Sequence, residues 1–292
     1  MNEMDVRGPE VLKRLAEVYG QLYLSPGEAG ERLYPEIVLK GKPVPKKDLS
    51  HFHGADGDVC TFEDTPAGAV RVVTLADRGD FETFLRIMAH RCRAAEIPRT
   101  QGASILDGVV NRGKIAGFQR KMAAEGLDAG AMQAFLKDRS NYTDALIVLS
   151  VGPYSNVPAE RAGFKEDVWL EYSQTIRRYH ECTHFVCRRL YKPLIDPVWD
   201  ELVADAVGIR AALGRYDRHL AETVLGLEDG RYVGGRLENY LPEGVSIDAL
   251  AERCHAAIGE IAQVDEDCAG GDPFALAIAL EERKGRIWDG EV

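Results

Sequence analysis

Two histidines four residues apart on one helix, with a glutamate directly after the first, require a second element to complete whatever they hold, and this chain has such a set in Tyr179-His180-Glu181-Cys182-Thr183-His184. The surrounding segment reads as one helix from about Glu166 to Leu190. Arg188 and Arg189 fall in a last turn where the macrodipole favours cations, and Pro193 follows as the stop. A four-residue step advances an α-helix by about 400°. The imidazoles of His180 and His184 therefore stand one turn apart on nearly the same face, within reach of one metal ion. Glu181 points to the neighbouring face, beside the ion rather than on it, where its carboxylate can take a proton from a metal-bound water.

Downstream, Asp196-Pro197 begins a second helix with an N-cap and a proline at the first helical position, and Gly214 is its natural C-cap. Glu201 and Asp205 sit at i and i+4 on it. That spacing lets one carboxylate ligate the ion while the other orients a ligand histidine through its second ring nitrogen. Cys187, three residues after His184, shares that histidine's face and is an alternative ligand, with which the site would close as a structural metal centre.

The rest of the chain alternates helices with a little strand. Residues 8–20 and a stretch opened by Ser25-Pro26 read as an N-terminal helical cap; residues 57–62 and 70–75 read as a hairpin around Glu63-Asp64-Thr65-Pro66-Ala67-Gly68. A helix from Phe81 to Cys92 leads to a loop over Ile97–Ile105 and then to further helices, Ile115–Ala124 and Ala131–Lys137. Asp144–Val151 is a strongly buried strand just before the metal helix. The turn-forming residues 152–158 border a cleft, where Tyr154 is placed to donate to a developing oxyanion. Later helices follow over residues 217–225, after Ser246 to about Ala262, and from Asp272-Pro273 to about Arg283, with a loop at Gly230–Gly235.

At 292 residues, 45% of them hydrophobic, the chain can bury a substantial core. A net charge of -11 leaves no basic footprint, which argues against nucleic acid and anionic lipid as partners. The N-terminal residues carry acidic groups and no apolar targeting core, and no uncharged apolar run approaches membrane-spanning length. Six scattered cysteines lack the spacing of a disulfide framework, so reduced thiols and a cytoplasmic protein are expected. His51 and His53 read as ordinary polar residues, and Gly102 and Gly108 lie outside any phosphate-binding fingerprint.

Taken together, these residues resemble the zincin metallopeptidases, the gluzincin type in particular, in which His-Glu-x-x-His is followed by Glu-x-x-Ala-Asp on a second helix. The resemblance implies that His180, His184 and Glu201 hold one zinc ion per chain, that Glu181 is the general base, and that Asp205 supports a ligand histidine. It also implies a substrate with a peptide or amide bond. The downstream His or Tyr that this family uses to stabilise the tetrahedral intermediate has four candidates, His255, His219, Tyr216 and Tyr232. Residues Ser150 to His184 and the loop around Gly102 are more loosely similar to an uncharacterised bacterial family with no assigned activity. The expected fold is α+β and mainly helical: an N-terminal helical and β-hairpin portion (1–140) packed on a zincin-like portion (141–292), in which a small β-sheet packs on the metal-binding helix, the two forming one integrated domain. Alternatives to the hydrolase are a catalytically silent zincin-fold binding or regulatory protein and the structural zinc centre.

Overall fold

In a computed structural model, which describes residues 5–191, 196–268 and 270–288, the chain is α+β and mainly helical. It divides into two compact units, residues 1–63 with 70–150 and residues 64–69 with 151–292.

The first unit is built on a mixed sheet. Its strands are β1 (Val6–Arg7), β2 (Val59–Glu63), β3 (Val70–Leu75), β4 (Ala103–Val110) and β5 (Thr143–Ser150), in the spatial order β1-β2-β3-β5-β4. The expected hairpin is β2–β3, paired antiparallel from Val59↔Thr74 to Glu63↔Val70. β5, read from its sequence as a buried strand, lies parallel to β3 and antiparallel to β4. With it comes a correction, because Ala103–Ile105, expected in a loop that leads into a helix, belongs to β4. A bulge between Leu106 and Val109, where Gly108 takes φ +72°, breaks the period-two alternation that would have marked the strand. Helices α1 (Glu10–Val18), α2 (Glu28–Val38) and α3 (Arg78–Met88) complete this unit's core, in which Leu15, Phe81, Phe84 and Leu85 pack with Val73, Leu146 and Val148. Between β4 and β5 the chain makes a helical hairpin, α4 (Arg112–Glu125) and α5 (Ala129–Lys137), capped by Asn111 and Asp128 and joined by the stacked rings of Phe118 and Phe135 at 4.1 Å.

The second unit holds α6 (Ala159–Ala162), α7 (Glu166–Leu190), α8 (Pro197–Leu213), α9 (Arg218–Leu225), α10 (Ile247–Asp267) and α11 (Pro273–Ile287). A short ribbon, β6 (Leu227–Glu228) with β7 (Arg231–Tyr232), occupies part of the stretch expected to be a loop. The five-stranded sheet belongs to the first unit and the histidine helix to the second. Pro193, the expected helix stop, lies outside the described residues. Among the described residues no helix is long and apolar enough to cross a membrane.

Helix α7 runs from Glu166 to Leu190 as expected, and α8 keeps the bounds that its caps dictate. The Asp196 carboxylate accepts from Val198 N and Trp199 N at 2.9 and 3.1 Å, Pro197 occupies the first turn, and Gly214 closes α8 at φ +77°. The two helices meet closely at Gly208, where an added Cβ would stand 2.7 Å from the backbone oxygen of Ile176. Only glycine fits against that carbonyl without moving backbone. Gly208→Ala is accordingly expected to cost about 1–3 kcal/mol by overpacking. A urea titration checks this through a lower midpoint at constant slope, and an unshifted midpoint contradicts the close crossing.

Candidate metal centre

Ile176, His180 and His184 succeed one another at one-turn intervals along α7, while Gly208, Asp205 and Glu201 succeed one another in the opposite sense along α8. The glycine contact therefore sets the register. It brings His180 opposite Asp205 and His184 opposite Glu201.

His180 Nε2 and His184 Nε2 face each other at 3.0 Å. The Glu201 carboxylate completes a triangle, with Oε2 3.5 Å from His180 Nε2 and Oε1 3.5 Å from His184 Nε2. Both histidines are 5% exposed, and the three residues form a group whose donor atoms lie close enough to share one ion. Behind the rings, each Nδ1 meets a carboxylate: His180 meets Asp205 Oδ1 at 3.0 Å, and His184 meets Asp200 Oδ2 at 2.9 Å. The first is a hydrogen bond; in the second the N–H is not aligned on the oxygen, which leaves an ion pair. A carboxylate at Nδ1 favours a proton there and leaves the lone pair on Nε2, the tautomer that a metal requires.

Arg236 knits the carboxylates together. Its guanidinium is paired with Asp205 Oδ2, lies 3.4 Å from Glu201 Oε2 and donates to the Tyr154 hydroxyl at 3.2 Å. Burial would raise the carboxyl pKa of Asp205, but Arg236 and His180 outweigh it and hold it below its usual range. Glu201 is lowered in the same way, against burial, by His184, His180 and Arg236. Desolvation works against a charged His184, yet Asp200 and Glu201 hold its pKa up to about 10. A cation held by the imidazoles would compete with that protonation. One further feature suits a cation: Glu201 Oε2 is buried without a hydrogen-bond donor.

Several expected roles change. Tyr154 is buried; its hydroxyl donates to Asp205 Oδ1 at 2.6 Å and lies 2.8 Å from His180 Nδ1. It therefore stands behind the imidazole, away from the Nε2 atoms, which does not suit an oxyanion donor. His255 pairs through Nδ1 with Glu222 at 2.6 Å, and no contact joins it to the cluster among the described residues. Tyr232 bonds Gly235 and Glu238, steadying its own loop. Cys187 is buried but is not one of the converging donors, and burial pushes its thiol pKa up, which disfavours the thiolate that the structural centre would need. A second cluster, His53 with Asp77 and Asp80, has its carboxylates engaged: Asp77 caps α3, and Asp80 accepts from His53 N and Gly54 N at 2.9 and 2.8 Å.

The site residues that the sequence did not reveal are Asp200, Arg236 and Tyr240, the last a tyrosine whose pKa is raised by burial and by the Glu201 and Asp205 carboxylates, against Arg236. Asp200 precedes Glu201 and was legible as a third carboxylate on that turn. Arg236 had no local signal beyond its glycines: an added Cβ on Gly226 or Gly235 would come within 2.5 or 2.6 Å of the facing backbone, so these glycines let the loop close on the end of α9 and deliver Arg236 inward.

The model of a family of unknown function, DUF7005, matches residues 24–271. No curated protein and no solved structure matches the chain.

Proposed function

Since the chain belongs to DUF7005, a family of unknown function, its activity has to be read from this centre, and we propose that it is a zinc-dependent hydrolase of peptide or amide bonds. The observation that carries the reading is the donor triangle. Zinc bound tetrahedrally at about 2.0–2.1 Å sets its ligand atoms about 3.3 Å apart, and the donors here stand at 3.0, 3.5 and 3.5 Å. Charge agrees with geometry. Glu201 and Asp205 face the Arg236 guanidinium and Asp200 pairs with His184, so three carboxylates meet the charges of Arg236 and His184, an excess of anions that suits a divalent cation.

Held by His180, His184 and Glu201, zinc would supply a water with a pKa lowered towards about 7 and would polarise the scissile carbonyl. The remaining steps fall to the chain. Asp205 and Asp200 keep the two imidazoles turned with Nε2 forward, and Arg236 keeps Asp205 and Glu201 ionised and in place. Glu181 is half-buried and makes no hydrogen bond or ion pair among the described residues. Its carboxylate is therefore available to accept the proton of the attacking water and to return it to the leaving nitrogen. The resemblance to gluzincins supports the same assignment, and free cysteines with an acidic net charge fit a cytoplasmic enzyme.

Dialysis against a chelator is expected to abolish cleavage of a fluorogenic peptide and amide panel, and one equivalent of zinc to restore it. Cleavage that survives full removal of metal overturns the reading. A rival, a metal-holding regulatory protein without chemistry, draws on the positions of Tyr154 and His255, neither of which faces the ligand atoms. Its signature would be metal-dependent ligand binding without turnover.

A further inference from the structure

The open edge of the first unit's sheet carries a site of a different kind. A cleft of about 610 Å³ is lined by every residue from Ile105 to Val110. Successive residues of a strand face opposite sides of the sheet, so a cleft touched by an unbroken run lies along the strand's edge and not over one face. β4 is that edge, with β5 on its other side.

The ladder shows which backbone groups remain. Gly102 O accepts from Ser150 N at 2.8 Å, and Asn111 N donates to Tyr142 O at 2.8 Å. In an antiparallel pair bonded and non-bonded positions alternate, which sets Ile105 and Val110 at non-bonded positions. Their N–H and C=O groups turn away from β5 into the cleft, without a hydrogen-bond partner among the described residues.

The opposite wall comes from the C-terminal turns of α2 and α3. It is apolar at Pro35, Val38 and Leu39, the last 68% exposed, and cationic at Arg91. Arg139 approaches the bulge: its guanidinium would lie 3.4 Å from a Cβ added to Gly108. Arg93 is paired with Glu31 at 3.1 Å, whereas Arg91 and Arg139 make no hydrogen bond or ion pair through their side chains among the described residues. The two cations flank a walled cleft that also holds Asp107 and the Arg93-paired Glu31 and that exposes main-chain donors and acceptors.

We propose that this edge binds an extended, acidic peptide segment of another protein, which adds a strand to β4. The peptide's main chain would pair with Ile105 and Val110, its apolar side chains would meet the α2 wall, and its carboxylates would meet Arg91 and Arg139. The span from Ile105 to Val110, roughly 16 Å of strand, suits a segment of six or seven residues. The proposal does not depend on the metal centre.

The test titrates the full chain with a fluorescent heptapeptide of alternating valine and aspartate. Saturable one-to-one binding is expected, weakened about tenfold or more by N-methylation of alternate peptide nitrogens, by lysine in place of aspartate, and by the double variant Arg91→Gly/Arg139→Gln. Glycine is chosen because residue 91 sits at φ +55°, and both arginines are exposed, so the variant should keep the wild-type circular dichroism melt. Absence of saturable binding overturns the site, and equal binding of the N-methylated peptide overturns strand addition. Equal binding by the double variant or of the lysine peptide overturns the acidic specificity. A concentration-dependent dimer in sedimentation, lost in the double variant, would assign the edge to a second copy and overturn the proposal.

Discussion

Glu181→Gln is expected to hold zinc as the wild type does and to hydrolyse substrate about 10²–10⁴-fold more slowly, the usual contribution of a general base. Glutamine keeps the size and polarity of the side chain but cannot take up a proton at neutral pH. Glu181 lies on the face of α7 next to the ligand histidines and is not one of the donors that converge on the cluster. Loss of turnover with retained metal would therefore separate proton transfer from ligation. A steady-state assay beside elemental analysis of the same preparation gives both numbers. An unchanged rate would remove Glu181 from the mechanism, and a lost metal would mean that it ligates or shapes the site.

Asp205→Asn should be the most destabilising conservative change in the centre, at about 3–5 kcal/mol. Asp205 is 1% exposed, accepts from the Tyr154 hydroxyl, meets His180 Nδ1 at 3.0 Å and is ion-paired to Arg236. Its removal leaves a largely buried guanidinium with Glu201 as its remaining anionic neighbour at 3.4 Å. The penalty comes from the uncompensated charge, so the double variant Asp205→Asn/Arg236→Gln should recover part of the loss, visible as a coupling energy in a double-mutant cycle of urea midpoints. Strictly additive losses would mean that the pair does not act as a unit.

The sequence made the two central helices legible for physical reasons that are local. Asp196, Pro197 and Gly214 specify the ends of α8 through capping and backbone geometry, and the four-residue spacings of His180 with His184 and of Glu201 with Asp205 put the donors on facing surfaces. What was hidden depends on contacts between distant residues. Arg236 reaches Asp205 from a loop closed by glycine–glycine backbone contact, and nothing in its own neighbourhood marks it as a buried cation. Tyr154 lies in the expected turn, but which side of His180 it takes follows from how that turn docks on α7, where Ser173 Oγ accepts from Tyr154 N at 2.9 Å. β4 was hidden by its bulge, since Asp107 and Gly108 interrupt the alternation and the ladder to β5 overrides local preference. β5 was legible as a strand but not in its partners, because register is a property of the sheet.

If His180, His184 and Glu201 hold one divalent ion, it will be found in the metal content of the purified chain after extensive dialysis, measured by elemental mass spectrometry beside His180→Ala and Glu201→Ala. About one zinc per chain is expected in the wild type, with loss of it in both variants, each still folded by circular dichroism. A folded wild type that carries no metal and takes up none from added zinc would contradict that reading, as would variants that retain the full complement.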